Sequence, residues 1–273
     1  RQLNREKRSD MIETNVQAGL VQTETDGAIC YVTLCAPDSL NAVDANMAVA
    51  LRDVCGSVLS DDGITVVVFR GAGRGFCAGG DLRYISQFAG RTDEALDNIL
   101  LPFHEFLEKL NASNKIIAFS VHGAVAGAGL SLVSMGDFCI AEEGTKFVPA
   151  YAAIGLTPDG GGTIGLTRSV GMRHALRYLL AEDKFGCTDA LRTGLVTKIA
   201  TKGTLEDTTK QFAERLASFP QVVLAGTKHL LRSAGYAEIS QQLEHEHAQL
   251  GAAMKSELFQ IRLREIARAN GVI

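Results

Sequence analysis

The sequence predicts an α/β protein assembled from stacked β-β-α units, with a helical region at its C-terminal end. Three observations carry that expectation. Continuous apolar runs of strand length, at residues 64–69 (ITVVVF) and 115–121 (KIIAFSV), alternate with segments of helical period. Each of these two runs passes into a glycine-rich turn and then a helix, so a strand–turn–helix unit occurs twice in parallel form. Strand-like segments stop near residue 200, and three helical stretches follow from about residue 205 to 269.

In chain order, residues 28–34 (AICYVTL) are rich in β-branched and aromatic side chains and read as a strand. Asp44 can cap a helix whose apolar stripe is Met47, Leu51, Val54 and Val58. The buried strand at 64–69 leads into a glycine loop at 71–80, and Asp81 opens another helix. A third helix carries Ile99, Phe103, Phe106, Leu107 and Leu110, with Pro102 placed to kink it. The strand at 115–121 runs into the second glycine turn, 123–129. Pro220 and Gly235 punctuate the helical region. There Leu243, Leu250, Met254, Leu258 and Ile261 form a stripe with little sequence left to cover it, which calls for a partner subunit or a neighbouring core. The expected organisation is a leader over 1–10, an α/β core over 11–200 and a helical region over 201–273. The leader RQLNREKRSD lacks the apolar stretch of a signal peptide, and Glu6 and Asp10 argue against a transit peptide; Met11 is the expected native start.

Composition narrows the classes. The chain has 273 residues, 46% hydrophobic and 21% charged, with a net charge of −4, enough for a sizeable core and too mixed for a disordered tail. No basic footprint points to nucleic acid. No apolar run reaches the roughly 18–20 residues of a membrane span, so no membrane partner is expected. The cysteines Cys30, Cys35, Cys55, Cys77, Cys139 and Cys187 form no CxxC pair, and most sit in apolar runs. They read as small buried hydrophobes of a reducing, cytoplasmic setting.

Several familiar chemistries are excluded by spacing. The first loop, GAGRGFCAGGD, begins as Gly71-x-Gly73 but carries Phe76 where a dinucleotide fingerprint needs glycine. A GxxxxGK[ST] loop and a GxSxG elbow are both absent. His245 and His247 diverge on a helix, and no cluster has metal-ligand spacing. The two glycine loops nevertheless share a property. Each follows a buried strand and precedes a helix, so free backbone N–H groups point at open space. Two such ends brought together can hold a developing negative oxygen without any side chain; the alternative is a pair of tight turns.

The segments RGAGRGFCAGGDL (70–82) and HGAVAGAGLSL (122–132) resemble the two signatures of the crotonase, or enoyl-CoA hydratase/isomerase, superfamily. LCAPDSLNAVD (34–44), IGLTPDGGGT (154–163) and GLVTKI (194–199) resemble further segments, in order and at family spacing over about residues 21–199. In the C-terminal region ELFQIRLREIARAN lacks the usual Glu-Gly pair, and only helical character matches. The resemblance implies a crotonase-like spiral of β-β-α repeats with a C-terminal helical trimerisation region, and a homotrimer or hexamer. It implies acyl-CoA substrates and no cofactor beyond the coenzyme A of the thioester. Its two oxyanion donors map onto the Gly80 and Ala128 backbone N–H groups, and its CoA contacts onto Asn41, Ala42, Ala78, Gly79, Asp81 and Leu82. Asp81 reads equally well as a helix N-cap.

The carboxylates depart from the hydratase pattern. The two glutamates that hydratases use to add water fall here on Ser131 and Tyr151, neither an acid–base group suited to neutral pH. Asp159, in Pro-Asp-Gly, reads either as a turn residue or as the catalytic carboxylate. The resemblance favours the second. Dienoyl-CoA isomerases, a phenylacetate-pathway enoyl-CoA isomerase and 4-chlorobenzoyl-CoA dehalogenase carry aspartate at that position. An apolar wall with Tyr151 and Phe103 is expected to raise its pKa. His104 matches the spacing of the dehalogenase histidine, although Gly79-Gly80-Asp81-Leu82 replaces that enzyme's aryl-holding aromatics. The leading expectation is an enoyl-CoA isomerase with Asp159 as proton shuttle. The alternatives are a hydratase, hydrolase or dehalogenase on another acyl-CoA, and a non-catalytic acyl-CoA-binding or scaffold subunit.

Overall fold

The computed structural model describes residues 19–233 and 239–272. The expected leader over 1–10, the start at Met11 and the break at Gly235 lie outside the described residues. Six strands form the main sheet in the order β1 (Val21–Asp26), β2 (Ile29–Leu34), β3 (Val66–Gly71), β4 (Ile116–Val121), β6 (Phe138–Glu142) and β9 (Lys198–Ala200). Only the β1–β2 hairpin is antiparallel; every other neighbour is parallel. A smaller sheet holds β5 (Ala124–Ala126), β7 (Lys146–Val148) and β8 (Phe185–Gly186).

The chain therefore winds as a spiral whose turns visit the large sheet, then the small one, then a helix. The β2 turn reaches a bridge at Val43 and then α1 (Ala45–Ser60). The β3 turn reaches bridges at Cys77 and Gly80, then α2 (Leu82–Ser86) and α3 (Thr92–Ala112). Next, β4 and β5 lead to α4 (Ala128–Ser134), and β6 and β7 to α5 (Gly162–Leu176). Last, β8 leads through α6 (Cys187–Thr193) to β9.

Why the central runs lack alternation is visible in their packing. Val67, Phe69, Ile117 and Phe119 face one core, which α1 and α3 cover; Phe69 stacks on Phe119 at 5.2 Å between ring centroids. Val66, Val68, Ile116 and Ala118 face a second core, covered by α7 (Leu205–Ala217) and α8 (Gln221–Ser233). Both faces are dry, so both residue parities are apolar. Removing the Phe69 ring would cost about 3–5 kcal/mol. Asp44 caps α1 as expected, accepting a hydrogen bond from Met47 N at 2.8 Å. Helix α3 continues through Pro102.

After Ala200 the described chain is helical or turn. Four helices occur there among the described residues, not three: α7, α8, α9 (Ile239–Met254) and α10 (Glu257–Ala269). The extra break is a serine cap, since extended Ser256 accepts from Phe259 N at 3.3 Å. The apolar stripe is also covered differently from the partner-subunit alternative. Leu243, Leu250 and Met254 are at most 3% exposed against this chain's own core, where Gly251 brings α9 close to Leu96 of α3. Ile261 remains 40% exposed, and the side chain of Leu258 lies outside the described set. Among the described residues, no helix is long and apolar enough to cross a membrane.

Candidate active site

Two adjoining turns of the spiral build the backbone half of the site. Asn41 is fully buried and holds the first glycine loop: its Nδ2 donates to Ala72 O at 2.9 Å, Gly75 O at 3.1 Å and Phe76 O at 3.0 Å, while Oδ1 accepts from Ala36 N at 2.8 Å. Its side chain is saturated, so a ligand contact from 41–42 would have to come from backbone. Val43 then bridges Gly80: Val43 N donates to Gly79 O and Asp81 N to Val43 O, which leaves the Gly80 N–H turned away from that pairing. Asp81 caps α2, accepting from Arg83 N at 2.8 Å and Tyr84 N at 3.3 Å, as its alternative reading had it.

The second loop is joined to the first by a parallel bridge between Cys77 and Val125. Gly127, at φ +46°, turns the chain so that Ala128 opens α4 with its N–H outside the helix ladder. Gly79 must be glycine: its φ is +100°, and a Cβ there would lie 3.0 Å from Ala126 O and 3.3 Å from Ala128 N. Gly80 and Ala128 both line one apolar cavity of about 100 Å³, and neither N–H meets an acceptor among the described residues.

Asp159 lines the same cavity and is the only carboxylate among its described lining residues. It is 8% exposed, at the start of a Gly160–Gly161 turn into α5. The Tyr151 hydroxyl donates to its Oδ1 in a short hydrogen bond. Ser131 Oγ lies 2.9 Å from the Tyr151 hydroxyl. The Tyr151 proton is committed to Asp159, so Ser131 is the donor, and the chain runs Ser131 to Tyr151 to Asp159. Burial lifts Asp159 to about 6; the Tyr151 hydrogen bond opposes the rise, and the negative charge of Glu246 adds to it. Tyr151 is held well above its ordinary value by burial and by the Asp159 charge, so it stays a phenol.

Of the residues singled out in the sequence, Ala78, Gly79, Gly80, Leu82, Ala128, Tyr151 and Asp159 line the cavity together. Ser131 stands one hydrogen bond behind Tyr151, while Asn41, Ala42 and Asp81 support the loop from outside the lining. His104 is not brought in. The neighbouring Phe103 lines the cavity, while the His104 ring meets His247 edge-on at 6.2 Å. Burial and the neighbouring histidine hold His104 down to about 4, and its buried Nε2 has no hydrogen-bond partner among the described residues. His247 bonds Asp97 at 2.8 Å, and the side chain of His245 lies outside the described set. Sequence reading placed Leu250 and Met254 in an apolar stripe but not in the cavity they close from α9, and it missed Glu246 one turn before them. Their i, i+4, i+8 spacing marks one helix face, but nothing in it says which surface that face covers.

Paired backbone donors over an apolar cavity, carried on a spiral of strands and helices, form a site that can hold a developing negative oxygen. The family model described as enoyl-CoA hydratase/isomerase matches residues 24–264, and the chain belongs to that family, within the crotonase superfamily. It is 31% identical to a 1,2-epoxyphenylacetyl-CoA isomerase of Escherichia coli K12, over 83% of this chain and 87% of that one. To a short-chain-enoyl-CoA hydratase of Clostridium acetobutylicum it is 29% identical, over 86% of this chain and 89% of that one. The solved structure of an enoyl-CoA hydratase from Bacillus halodurans superposes with a TM-score of 0.84 at 25% identity, covering 90% of this chain and 99% of that one. The relatives thus carry both isomerase and hydratase names, on an acyl-CoA enzyme scaffold.

Proposed function

We propose that this enzyme is an enoyl-CoA isomerase that shifts a double bond through a thioester enolate, with Asp159 as the single proton shuttle. One observation carries the reading: the two positions that resemble the hydratase glutamates are Ser131 and Tyr151, and their hydroxyls form a chain that ends on Asp159. No second carboxylate among the described lining residues is available to activate water. The thioester oxygen accepts from Gly80 N and Ala128 N. The Asp159 carboxylate takes a proton from one carbon, and the electron pair moves through the conjugated system onto that oxygen. As the carbonyl reforms, Asp159 returns the proton to another carbon. A group lifted to about 6 both accepts and gives back a proton near neutrality. Each oxyanion donor is worth about 2.7–4 kcal/mol of transition-state stabilisation. The only cosubstrate chemistry required is the coenzyme A of the thioester itself.

The test is proton exchange in heavy water. With 3-hexenoyl-CoA, the wild type should form the 2-enoyl product and incorporate deuterium, and Asp159→Asn should bind the thioester without either. Turnover by Asp159→Asn would sink the assignment; binding without exchange by the wild type would instead favour an acyl-CoA-binding subunit. Water addition as the main reaction of 2-hexenoyl-CoA would restore the hydratase reading.

A further inference from the structure

We propose that Glu246, on α9 of the C-terminal helical region, is a positioning residue that clamps the turn carrying Asp159 and couples it to the wall of the acyl cavity. The inference rests on Asp159 being the proton shuttle. Glu246 is 4% exposed. Its Oε2 accepts from Gly161 N at 2.7 Å, and its Oε1 accepts from Thr163 N at 3.1 Å and from the Thr163 hydroxyl in a short bond. These are orphan donors of the first turn of α5, whose N-cap, Gly161, has no side chain to satisfy them. The cap therefore arrives from a helix far along the chain.

The turn has particular need of it. Gly160 and Gly161 are successive left-handed residues, at φ +58° and +78°. Glycines in that region are the least restrained residues of a chain. Their close neighbours are apolar: a Cβ would meet Phe103 at 2.9 Å from Gly160 and Met135 at 2.8 Å from Gly161. Packing keeps the turn thin; the Tyr151 hydroxyl orients the Asp159 carboxyl itself, and directional bonds from Glu246 to Gly161 N and Thr163 N hold the backbone of the turn that carries it. Leu250 and Met254 lie one and two turns further along α9 and line the cavity. One helix face thus holds the base and encloses the acyl chain.

The charge matters as well as the hydrogen bonds. Among the described residues, the ionisable groups that act on Asp159 are Tyr151, from the segment after β7, and Glu246, from α9; Ser131 of α4 bonds Tyr151, and Phe103 of α3 packs beside Gly160. A neutral capping group would satisfy the same amides, but the carboxylate also disfavours ionisation of Asp159.

The measurement is the pH profile of kcat on 3-hexenoyl-CoA for Glu246→Gln, with Kd for the thioester and Tm recorded alongside. Glutamine keeps one acceptor and the size of the side chain but loses the charge. We expect kcat to fall about 10- to 100-fold with Kd within about threefold of wild type. The acid limb should move to lower pH, because the Asp159 carboxylate form is no longer opposed. Thr163→Val, which deletes only the hydroxyl bond, should lower kcat less and leave the limb in place. It serves if Glu246→Gln fails to fold. An unchanged kcat and limb in Glu246→Gln would overturn the proposal. So would a loss of kcat matched by equal losses in Kd and Tm, or an unaltered kcat in Thr163→Val if that variant must stand alone. If Asp159→Asn keeps turnover, the shuttle reading itself has failed. If Asp159→Asn is inactive and Glu246→Gln is normal, only the clamp has.

Discussion

Asp159 should destabilise the protein it serves, and by an amount that pH reveals. Its carboxyl is held at about 6 against an ordinary 3.8. A carboxyl raised in the fold is protonated there at pH values where the unfolded chain has already released its proton. The folded state binds the extra proton between those two values, so stability falls as pH rises through that window and stays low above it. At about 1.36 kcal/mol per unit, the penalty is about 3 kcal/mol at pH 7.5 and about 1 kcal/mol at pH 4.5. Asp159→Asn cannot ionise and escapes that pH-dependent penalty, although its amide leaves a donor poorly satisfied, a constant cost of about 1–3 kcal/mol. The observable is therefore the difference between variant and wild type, not the variant alone. Urea unfolding at the two pH values should show Asp159→Asn gaining about 2 kcal/mol on the wild type between pH 4.5 and pH 7.5. A pH-independent difference, or one of opposite sign, would refute both the buried, raised carboxyl and its proposed use as a reversible proton carrier.

Tyr151→Phe removes a hydrogen bond that favours the Asp159 carboxylate; at about 1.5–3 kcal/mol for a bond to a charged group, the acid limb of kcat should rise by about one to two pH units. Its failure to move would mean that the hydroxyl chain does not contact the working base. His104→Ala should change kcat less than about threefold, because its ring lies outside the cavity lining; a loss of about a hundredfold or more would return histidine-assisted hydrolysis to consideration. A soaked acyl-CoA should place its thioester oxygen within about 3.5 Å of Gly80 N and Ala128 N, and a crystal structure with the oxygen remote from both would contradict the oxyanion reading. We propose a trimer or a pair of trimers, supported by exposed apolar side chains such as Val222 at 77%, Leu180 at 71% and Leu230 at 70%. A stable monomer in sedimentation at micromolar concentration would oppose it.

Local signals were legible wherever one residue type does one physical task. The runs at 64–69 and 115–121 announced strands buried on both faces, and Asp44 and Asp81 announced helix starts through their side-chain caps. The positions of Gly80, Ala128 and Asp159 came through the resemblance to the crotonase superfamily; taken alone, the glycine loops read equally as tight turns and Pro-Asp-Gly as a turn. What long-range packing decides was not legible. The stripe at Leu243, Leu250 and Met254 declared that it must be buried but not that α3 and the cavity of its own chain would bury it. Asn41 looked like a ligand contact, and its saturation by three carbonyls depends on a loop more than thirty residues away. Glu246 carried no signal in the sequence, because the unmet amides it satisfies belong to another element.

The bridge between Cys77 and Val125 sets a length that no side chain controls. Gly80 and Ala128 each stand three residues beyond that paired position, on adjacent turns of the spiral. Their separation is inherited from the spacing of neighbouring strands, about 4.7–4.9 Å in any β-ladder. The two donors thus behave as a ruler built from peptide geometry. Substitutions that widen the cavity, shorten it or change the acid–base group leave the ruler unaltered. A scaffold of this kind can exchange one reaction on a thioester for another while the grip on the oxygen stays constant. By the same reasoning, an inserted residue between Cys77 and Gly80, or between Val125 and Ala128, should be more damaging than most replacements in the wall, since it alters the offset itself.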